Sequence, residues 1–414
     1  MTAVKRIYVL GGYQSDFSRN WTRENLSLFD LFSETLSKGM ESCRLDPEEI
    51  EVGHVGNFVG DLFCNQAQLG GFFGHVDDKL AYMPASRHEA ACASGSMAIL
   101  AAMSDLESNR YGLACVMGIE LMRNVSGQKA AEFLRPAAWA DKEYLDAEYL
   151  WPNVFADLAQ QYMDETDMSM EHLRAISKKN FAQGQCNPNS QCRNWRLEEA
   201  HFQNDSDVNP IVANPLHKQD CGQLTDGASV LFLANEKRAK AYARARRIDF
   251  DSIPYIKGWA HVNAPMLISK KQALSKQSEL VFPHVNALFS QTLQRAGMGS
   301  VRELSGLEVH DCFNITEYMI LDHSGFERPG HLWKAIEAGD FNLGGALPVN
   351  ASGGLMGCGH PVGATGVRML LDAYKQVTYK AGDYQIGGAR DVMTVNLGGS
   401  ATTCASFILG IKGQ

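Results

Sequence analysis

The feature that most constrains the fold is an alternation of strand-like and helix-like segments that occurs twice in the same order. The first set comprises an apolar run at 7–10, helical spacing of apolar residues over 27–42, a strand-like run at 51–59, a small-residue helix over 92–106 and a strand at 112–117. The second set comprises a strand-like run at 254–260, helical spacing over 277–296, an apolar run at 307–309, a glycine-rich segment at 353–366 that leads into a helix, and a strand that starts near 392. Strands that alternate with helices predict an α/β protein with a parallel or mixed sheet. The shared order predicts a duplicated fold.

Residues 121–250 interrupt this pattern with acidic and aromatic stretches and with helical spacing near 154–164. We therefore predict an N-terminal half formed by residues 1–120 plus 220–253, an inserted helix-rich domain over 121–219, and a C-terminal half over 254–414. Within the N-terminal half, 220–233 is predicted to be a strand that rejoins the sheet after the insertion.

Charge, cysteine spacing and hydropathy exclude several classes of protein. The formal net charge is -9 and no long basic run occurs, so nucleic acid is not an expected partner. The ten cysteines include no Cys-x-x-Cys pair and no zinc-ligand spacing, as is typical of a reduced, cytoplasmic protein. No apolar run approaches the ~18 residues of a membrane span, so no transmembrane helix is expected.

Cys92 is the first candidate for chemistry. It lies in the segment Arg87-His-Glu-Ala-Ala-Cys-Ala-Ser-Gly-Ser, where small residues surround it and a helical run follows. Free N–H groups and the dipole at a helix start favour a thiolate. Small neighbours allow a substrate to approach the sulfur and leave N–H groups free as an oxyanion hole. The alternative is a buried cysteine with a structural role only.

His310 and Cys312 form a second candidate, because they follow the apolar run at 307–309. The carboxyl ends of strands in α/β sheets are where reactive groups gather. The alternative is a loop histidine beside a cysteine of the core.

His360 is the third candidate, and it lies in the most informative segment of the chain. Six glycines occur within 353–366, which indicates backbone conformations that side chains would block. A neutral imidazole held rigidly there is suited to act as the general base for a thiol. A dinucleotide-binding loop is the alternative, but Gly-x-Gly-x-x-Gly is absent and the segment lies far from the first strand.

A turn at 396–400, Asn-Leu-Gly-Gly-Ser, follows the strand near the C-terminus. Its glycine N–H groups are suited to complete an oxyanion hole. A close-packed turn without a catalytic role explains the same residues, and the segment alone does not decide.

These four segments occur in the order, and near the spacing, of the thiolase family, which the chain resembles over essentially its whole length. Cys92-Ala-Ser-Gly is similar to the nucleophile motif of that family, and Gly359-His360-Pro361 is similar to its most specific signature. Asp226-Gly227-Ala228 resembles the segment that closes the inserted loop domain.

The chain departs from the common thiolases at two motifs. Their usual Asn-Glu-Ala-Phe reads His310-Asp-Cys-Phe here, and their usual Cys-x-Gly near the C-terminus reads Asn396-Leu-Gly398. The chain therefore resembles sterol-carrier-protein-type thiolases and related bacterial and archaeal acetyl-CoA acetyltransferases. In that subgroup the His-Asp-Cys-Phe loop is thought to supply the second catalytic cysteine, which is Cys312 in this chain.

The resemblance implies a thiolase fold, in which two βαβαβαββ halves stack in five layers, α-β-α-β-α, with the inserted loop domain over the site. It implies an acyltransferase that forms or thiolytically cleaves 3-ketoacyl-CoA, with acyl-CoA and coenzyme A as its partners and with no metal or redox cofactor. A homodimer or homotetramer is the implied assembly.

The resemblance also implies a role for each candidate residue. Cys92 is the implied nucleophile and His360 its base, while the N–H groups of Cys92 and Gly398 form the oxyanion hole for the acyl group. Cys312 is implied to move the proton at the α-carbon of acetyl-CoA, and His310, together with His360 or a water, to polarise the acetyl-CoA carbonyl.

Three other functions stay open at this point: a ketoacyl synthase or similar condensing enzyme, a thiolase-like aldolase that needs no acyl-cysteine, and a non-catalytic acyl-CoA-binding subunit. The presence of Cys92, Cys312 and His360 together argues against the last of these. Neither the acyl chain length nor the direction of the reaction follows from the sequence.

Overall fold

The computed structural model describes residues 5–204 and 207–412. Its strands are β1 (Ile7–Gln14), β2 (Val52–Gly56), β3 (Ala85–His88), β4 (Leu113–Glu120), β5 (Ile211–Ala213), β6 (Leu216–His217), β7 (Gly227–Asn235), β8 (Tyr255–Asn263), β9 (Gly306–Val309), β10 (Asp391–Gly398) and β11 (Thr403–Gly410). Its helices are α1 (Leu28–Cys43), α2 (Gly60–Phe63), α3 (Phe73–Val76), α4 (Ser94–Glu107), α5 (Gly127–Leu134), α6 (Leu150–Glu165), α7 (Met170–Cys186), α8 (Glu236–Arg246), α9 (Ile268–Ser275), α10 (Pro283–Ala296), α11 (Asn314–Asp322), α12 (Leu332–Glu337), α13 (Gly354–Cys358) and α14 (Thr365–Val377).

The strand order of the first half is repeated in the second. In the first half the order is β3-β2-β4-β7-β1, with β2 parallel to β3 and β4, and β7 antiparallel to β4 and β1. In the second half β10 is parallel to β9, and β11 is antiparallel to β10 and β8. A parallel bridge between Leu307 and Val349 takes the place of β3. The predicted duplication is therefore confirmed.

Alternate side chains of the buried strands face two different cores. In β4, Cys115 and Met117 pack in a cluster with residues of α1, whereas Ala114 and Val116 pack in a second cluster with residues of α4 and α14. A strand that is buried on both faces reads as a continuous apolar run, as β4 does. The helices α4 and α14 thus form a layer between the strands of the two halves, and the predicted five-layered thiolase fold is confirmed.

The outer face of the second half is covered by α10 and α11, whose apolar residues share one large cluster with β9, β10 and the inserted segment. Residues 277–282 do not form the predicted start of α10, because the helix begins at Pro283. Proline lacks an N–H and is therefore suited to the first turn of a helix.

The segment between β4 and β7 contains α5, α6 and α7, as the prediction of a helix-rich insertion requires, and it also contains the short hairpin β5–β6, which was not predicted. The strand predicted over 220–233 begins only at Gly227, because residues 218–220 form a single helical turn. The exact boundaries of the insertion at 121 and 219 stay a prediction.

No helix among the described residues combines the length and the apolar character that a membrane crossing requires.

Candidate active site

Cys92 lies in a tight turn, 91–93, that leads directly into α4. The turn is fixed by Ser94, whose Oγ accepts a hydrogen bond from the N–H of Ala90 at 2.9 Å and donates to the carbonyl of Ala91 at 2.6 Å. Ala91 adopts a φ of 50°, an unusual conformation for a residue with a side chain. The sequence expectation that Cys92 stands at a helix start is confirmed.

His360 follows α13, and a strained glycine positions it. Gly359 has a φ of +120°, and a Cβ there would lie 2.9 Å from Cγ2 of Thr225, so only glycine fits. The N–H of His360 donates to Oγ1 of Thr225 at 2.9 Å. These contacts aim the ring at the turn that carries Cys92.

The hydrogen bonds around Thr365 determine which ring nitrogen of His360 carries the proton. Its Nδ1 lies 2.6 Å from Oγ1 of Thr365, and the same Oγ1 lies 3.0 Å from the carbonyl of Pro361, which can only accept. If Thr365 donates to the carbonyl of Pro361, its oxygen is free to accept a hydrogen bond from the Nδ1–H of His360. His360 then carries its proton on Nδ1, and Nε2 is a free base that faces the cavity.

His310 and Cys312 lie just past the end of β9. The N–H of His310 donates to the carbonyl of Val395 at 2.9 Å, which continues the ladder with β10. The rings of His310 and His360 are 5.2 Å apart and perpendicular, with an angle of 89°. Sγ of Cys312 lies 3.9 Å from Oγ1 of Thr316.

The candidates meet at one place. The ligand atoms of Cys92, His310 and His360 all lie within 4.8 Å of one another, and Cys92, Cys312 and His360 line the same cavity. Among the described residues, the thiol of Cys92 and the imidazoles of His310 and His360 form the group whose spacing could hold a metal ion. Thiol and imidazole are both ligands that Zn²⁺ accepts. Four groups that the sequence separates by up to 268 positions are thus brought together as expected.

The N–H of Gly399 faces the Cys92 thiol, and the oxyanion-hole role of the adjacent Gly398 stays a prediction. The N–H groups of Gly399 and of Cys92 itself donate to the sulfur and lower the pKa of the thiol, against the larger effect of burial. Gly398 is the last residue of β10, and its carbonyl accepts from the N–H of Thr402. A Cβ at Gly398 would lie 2.3 Å from the carbonyl oxygen of Ala90, so Gly398 packs the turn against the Cys92 segment.

Burial keeps the resting groups of the site neutral. It raises the pKa of Cys92 to about 12 and raises that of Cys312 well above its ordinary value, with a further contribution from the neighbouring Cys92. Burial and the positive charge of Arg368 lower the pKa of His360 to about 3. The pKa of His310 is lowered by burial and by His360. At Cys92 the backbone donors favour the thiolate, as expected for a helix start, but the effect of burial on the pKa is larger.

Glu120 is a residue of the site that the sequence reasoning missed. Its buried carboxylate accepts hydrogen bonds from the N–H groups of Phe58, Val59 and Gly363 at 3.0, 3.1 and 3.0 Å. It thereby joins the loop after β2 to the segment after His360. Burial raises its pKa to about 7, although the three N–H donors oppose the effect. The signal in the sequence was a single acidic residue at the end of the apolar β4.

A cavity of about 360 Å³ opens beside the reactive groups. Its walls are mostly apolar and come largely from the insertion, which supplies Met122, Ala130, Ala131, Leu134, Tyr149, Leu150, Trp151 and Phe155, and Phe58, Leu224 and Phe313 also line it. The rings of Trp151 and Phe155 are stacked 6.1 Å apart, and those of Phe155 and Phe313 are 4.6 Å apart. The arrangement suits a bound chain without charge next to a thiol and two imidazoles.

Comparisons with known sequences agree with this geometry. The family described as "Thiolase, N-terminal domain" matches residues 7–237, and "Thiolase C-terminal domain-like" matches residues 268–411. An acetyl-CoA acetyltransferase of Methanothermobacter thermautotrophicus is 28% identical over 407 residues, which cover 98% of this chain and 99% of the relative. Sterol carrier protein 2 of Gallus gallus is 26% identical over 99% of this chain and 73% of its own length.

Solved structures share the fold. The Ltp2-ChsH2(DUF35) aldolase superposes with a TM-score of 0.76 at 17% identity, over 98% of each chain. Human mitochondrial 3-ketoacyl-CoA thiolase superposes with a TM-score of 0.71 at 13% identity, over 99% of this chain and 100% of the other. Both groups that the sequence resembles, archaeal acetyl-CoA acetyltransferases and sterol carrier proteins, are among the relatives. The family match over more than half of the chain, together with the repeated strand order and the site at its centre, shows that the chain belongs to the thiolase family.

Proposed function

We propose that the chain is an acyl-CoA C-acyltransferase that forms or thiolytically cleaves 3-ketoacyl-CoA through an acyl group on Cys92. The observation that carries the proposal is that Cys92, Cys312 and His360 line one mostly apolar cavity, with His310 beside Cys92 and His360. The acetyl-CoA acetyltransferases among the relatives support the same reaction class.

Cleavage begins at the ketone carbon of the substrate. The Cys92 thiol attacks this carbon while Nε2 of His360 takes the thiol proton in the same step, so that no free thiolate has to form first. The N–H groups of Cys92 and Gly399 donate to the sulfur, and we assign to them the stabilisation of the negative oxygen that develops on the attacked carbonyl.

The carbon–carbon bond then breaks, the acyl group stays on Cys92, and the electron pair moves to the departing acetyl-CoA as an enolate. His310 stabilises the enolate oxygen, and the Cys312 thiol gives its proton to the α-carbon, which releases acetyl-CoA. The raised pKa of Cys312 suits this role, since a weak acid returns as a strong base.

Coenzyme A completes the cycle. Its thiol loses a proton to the Cys312 thiolate and attacks the acyl group on Cys92, and the departing Cys92 sulfur recovers its proton from His360. The sum is one 3-ketoacyl-CoA and one coenzyme A converted into acetyl-CoA and a shortened acyl-CoA. The same steps in reverse order form the carbon–carbon bond, and both directions of the reaction have ping-pong kinetics.

The acyl chain occupies the cavity formed by α5, α6 and Phe313. A wall that is mostly apolar stabilises an uncharged chain by about 0.8 kcal/mol for each buried methylene group. We infer that the enzyme accepts acyl chains longer than acetyl.

Mass spectrometry of the intact protein after incubation with acetoacetyl-CoA or acetyl-CoA tests the proposal. We expect one added acetyl group, absent from Cys92→Ala and retained in Cys186→Ala, in which an exposed cysteine is removed. Cleavage of a 3-hydroxyacyl-CoA to an aldehyde without added mass on Cys92 would instead establish an aldolase, the activity in the name of one structural neighbour. Binding of acyl-CoA with neither reaction would establish a non-catalytic binding protein.

A further inference from the structure

A chain of three buried polar side chains crosses from α4 to the end of β9. Oγ of Ser96 lies 2.8 Å from Oδ1 of Asn396, and Nδ2 of Asn396 lies 3.1 Å from Nδ1 of His310. Each of the three residues is 1% exposed. Bulk water does not reach the hydrogen bonds between these three side chains, so each of their donors must meet an acceptor within the protein.

The orientation of the Asn396 amide follows from Ser96. Among the described residues, the Oγ of Ser96 makes its side-chain hydrogen bond with Asn396. If the amide were reversed, its nitrogen would donate to Oγ, and the hydroxyl proton of Ser96 would have no acceptor there. A buried donor without an acceptor is costly. The Oδ1 of Asn396 therefore faces Ser96, and its Nδ2 faces His310.

This orientation decides where His310 carries its proton. An amide nitrogen can only donate, so Nδ1 of His310 must be the unprotonated nitrogen, and the neutral ring carries its proton on Nε2. His360 has the opposite arrangement, because its Nδ1 donates to Thr365 and its Nε2 is free. The two rings, whose centres are 5.2 Å apart, thus supply one hydrogen-bond donor and one base close to the Cys92 thiol.

We propose that Asn396, which Ser96 holds in orientation, is a positioning residue that fixes the Nε2–H tautomer of His310. With its proton fixed on Nε2, His310 is always ready to donate a hydrogen bond to the thioester oxygen of acetyl-CoA. The tautomer assignment stands on the hydrogen bonds alone, whereas the donation to acetyl-CoA rests on the proposed function. A neutral donor that is already in place stabilises an enolate without reorganisation during the reaction.

The tautomer can be read directly in the full-length protein by long-range ¹⁵N–¹H NMR of histidine-labelled samples, with His310 assigned by its loss in His310→Gln. The chain has 12 histidines, which keeps the spectrum tractable. We expect His310 as the Nε2–H form and His360 as the Nδ1–H form. A parent spectrum that shows His310 with its proton on Nδ1 overturns the proposal, and this result needs no variant of Asn396.

Two variants extend the test. Asn396→Asp replaces the donor with an acceptor, so His310 should move its proton to Nδ1 while the signals of His360 stay in place. Ser96→Ala removes the group that orients the amide, so both tautomers of His310 should become populated. If Asn396→Asp folds and His310 keeps the parent tautomer, Asn396 does not set it.

Activity separates this proposal from the proposed function. In Asn396→Asp, exchange of the α-protons of acetyl-CoA with deuterated solvent should fall by about 10²–10³-fold, the usual cost of one oxyanion donor, while acylation of Cys92 persists. A parent protein with the expected tautomers but without acylation or exchange would refute the thiolase reaction and leave the tautomer assignment standing. Parental exchange in a variant with the switched tautomer would refute the donor role of His310.

Discussion

The carboxylate of Asp311 accepts a hydrogen bond of 2.6 Å from the backbone N–H of Leu355, in the first turn of α13. It also accepts from the N–H of Met356 at 3.3 Å and from Nδ2 of Asn180, on α7 of the insertion, at 2.7 Å. One buried side chain between His310 and Cys312 thus holds the segment that leads to His360. Burial and the neighbouring Glu317 raise the pKa of Asp311 to about 7.

Replacement of Asp311 by alanine should therefore loosen both the site and the fold. Three donors lose their acceptor, and a buried donor left unsatisfied costs about 1–3 kcal/mol. We expect the free energy of unfolding to fall by at least that amount in denaturant titrations, together with slower acylation of Cys92 because His360 is no longer held. Asp311→Asn retains one oxygen and should be intermediate. If Asp311→Ala kept the stability and the acylation rate of the parent, the hydrogen bonds of Asp311 to α13 would not be what positions His360.

The fold was predictable because its signals are local and periodic. Apolar runs marked β1, β4 and β10, and the repeated order of segments marked the two halves. The reactive residues were predictable because they follow strand ends or precede a helix, where an α/β sheet gathers its chemistry.

The hydrogen-bond partners behind those residues were not predictable. Ser96 and Asn396 are 300 positions apart, and no periodicity relates them. The N–H of Gly399 donates to the Cys92 sulfur, and Gly399 has a φ of 61°, a backbone conformation that a pair of adjacent glycines permits but does not specify. Glu120 and Asp311 act through backbone N–H groups, which carry no sequence signal.

Removal of the Cys312 thiol should separate the two half-reactions. In Cys312→Ala, acylation of Cys92 should persist, because it depends on His360 and on the N–H groups of Cys92 and Gly399. Exchange of the α-protons of acetyl-CoA with deuterated solvent should fall by about 10²–10⁴-fold, the usual contribution of one acid–base group. Both rates can be measured on the same sample by mass spectrometry and NMR.

Cys221 supplies the matched control for this variant, since it lines the same cavity and its Sγ donates to the carbonyl of His217. Cys221→Ala should leave exchange near the parental rate. If exchange survives in Cys312→Ala as well, Cys312 is a structural cysteine, and His310 becomes the first candidate for the proton carrier.

Replacement of His360 by asparagine should change how the free energy of unfolding depends on pH in the acid range. The folded protein keeps His360 neutral down to a pKa of about 3, whereas the unfolded chain takes up this proton below about pH 6.5. The unfolded state binds more protons between these values, so the parent loses stability as the pH falls from 6.5 toward 3. The proton of His360 alone costs on the order of 2–3 kcal/mol at pH 4.5.

The difference between parent and His360→Asn reports this proton together with the smaller effect of His360 on the pKa of His310. Buried carboxyls such as Glu120 and Asp311, whose pKa values are raised to about 7, titrate with the opposite sign in both proteins and cancel in the comparison. Urea titrations at several pH values should give a shallower acid limb for His360→Asn. Parallel curves would mean that His360 is readily protonated in the folded protein.

A larger side chain on α5 should reduce the space for the acyl chain in the cavity. Ala131 is partly buried and lines the cavity, whereas Gln128 on the same helix is exposed and does not. Ala131→Leu places three more carbons in a space of about 360 Å³. The variant should exclude long acyl chains and still admit the acetyl group of acetoacetyl-CoA, which needs little of this space.

Steady-state thiolysis of 3-ketoacyl-CoAs of increasing chain length gives the measurement. Loss of contact for two or three methylene groups, at about 0.8 kcal/mol each, should lower kcat/KM for long chains by about 10–50-fold in Ala131→Leu. Activity toward acetoacetyl-CoA should stay near the parental value. Gln128→Leu adds the same apolar side chain outside the cavity and should leave the whole profile unchanged. An equal loss for all chain lengths in Ala131→Leu would indicate damage to the reactive groups, and no loss for any of them would place the acyl chain elsewhere.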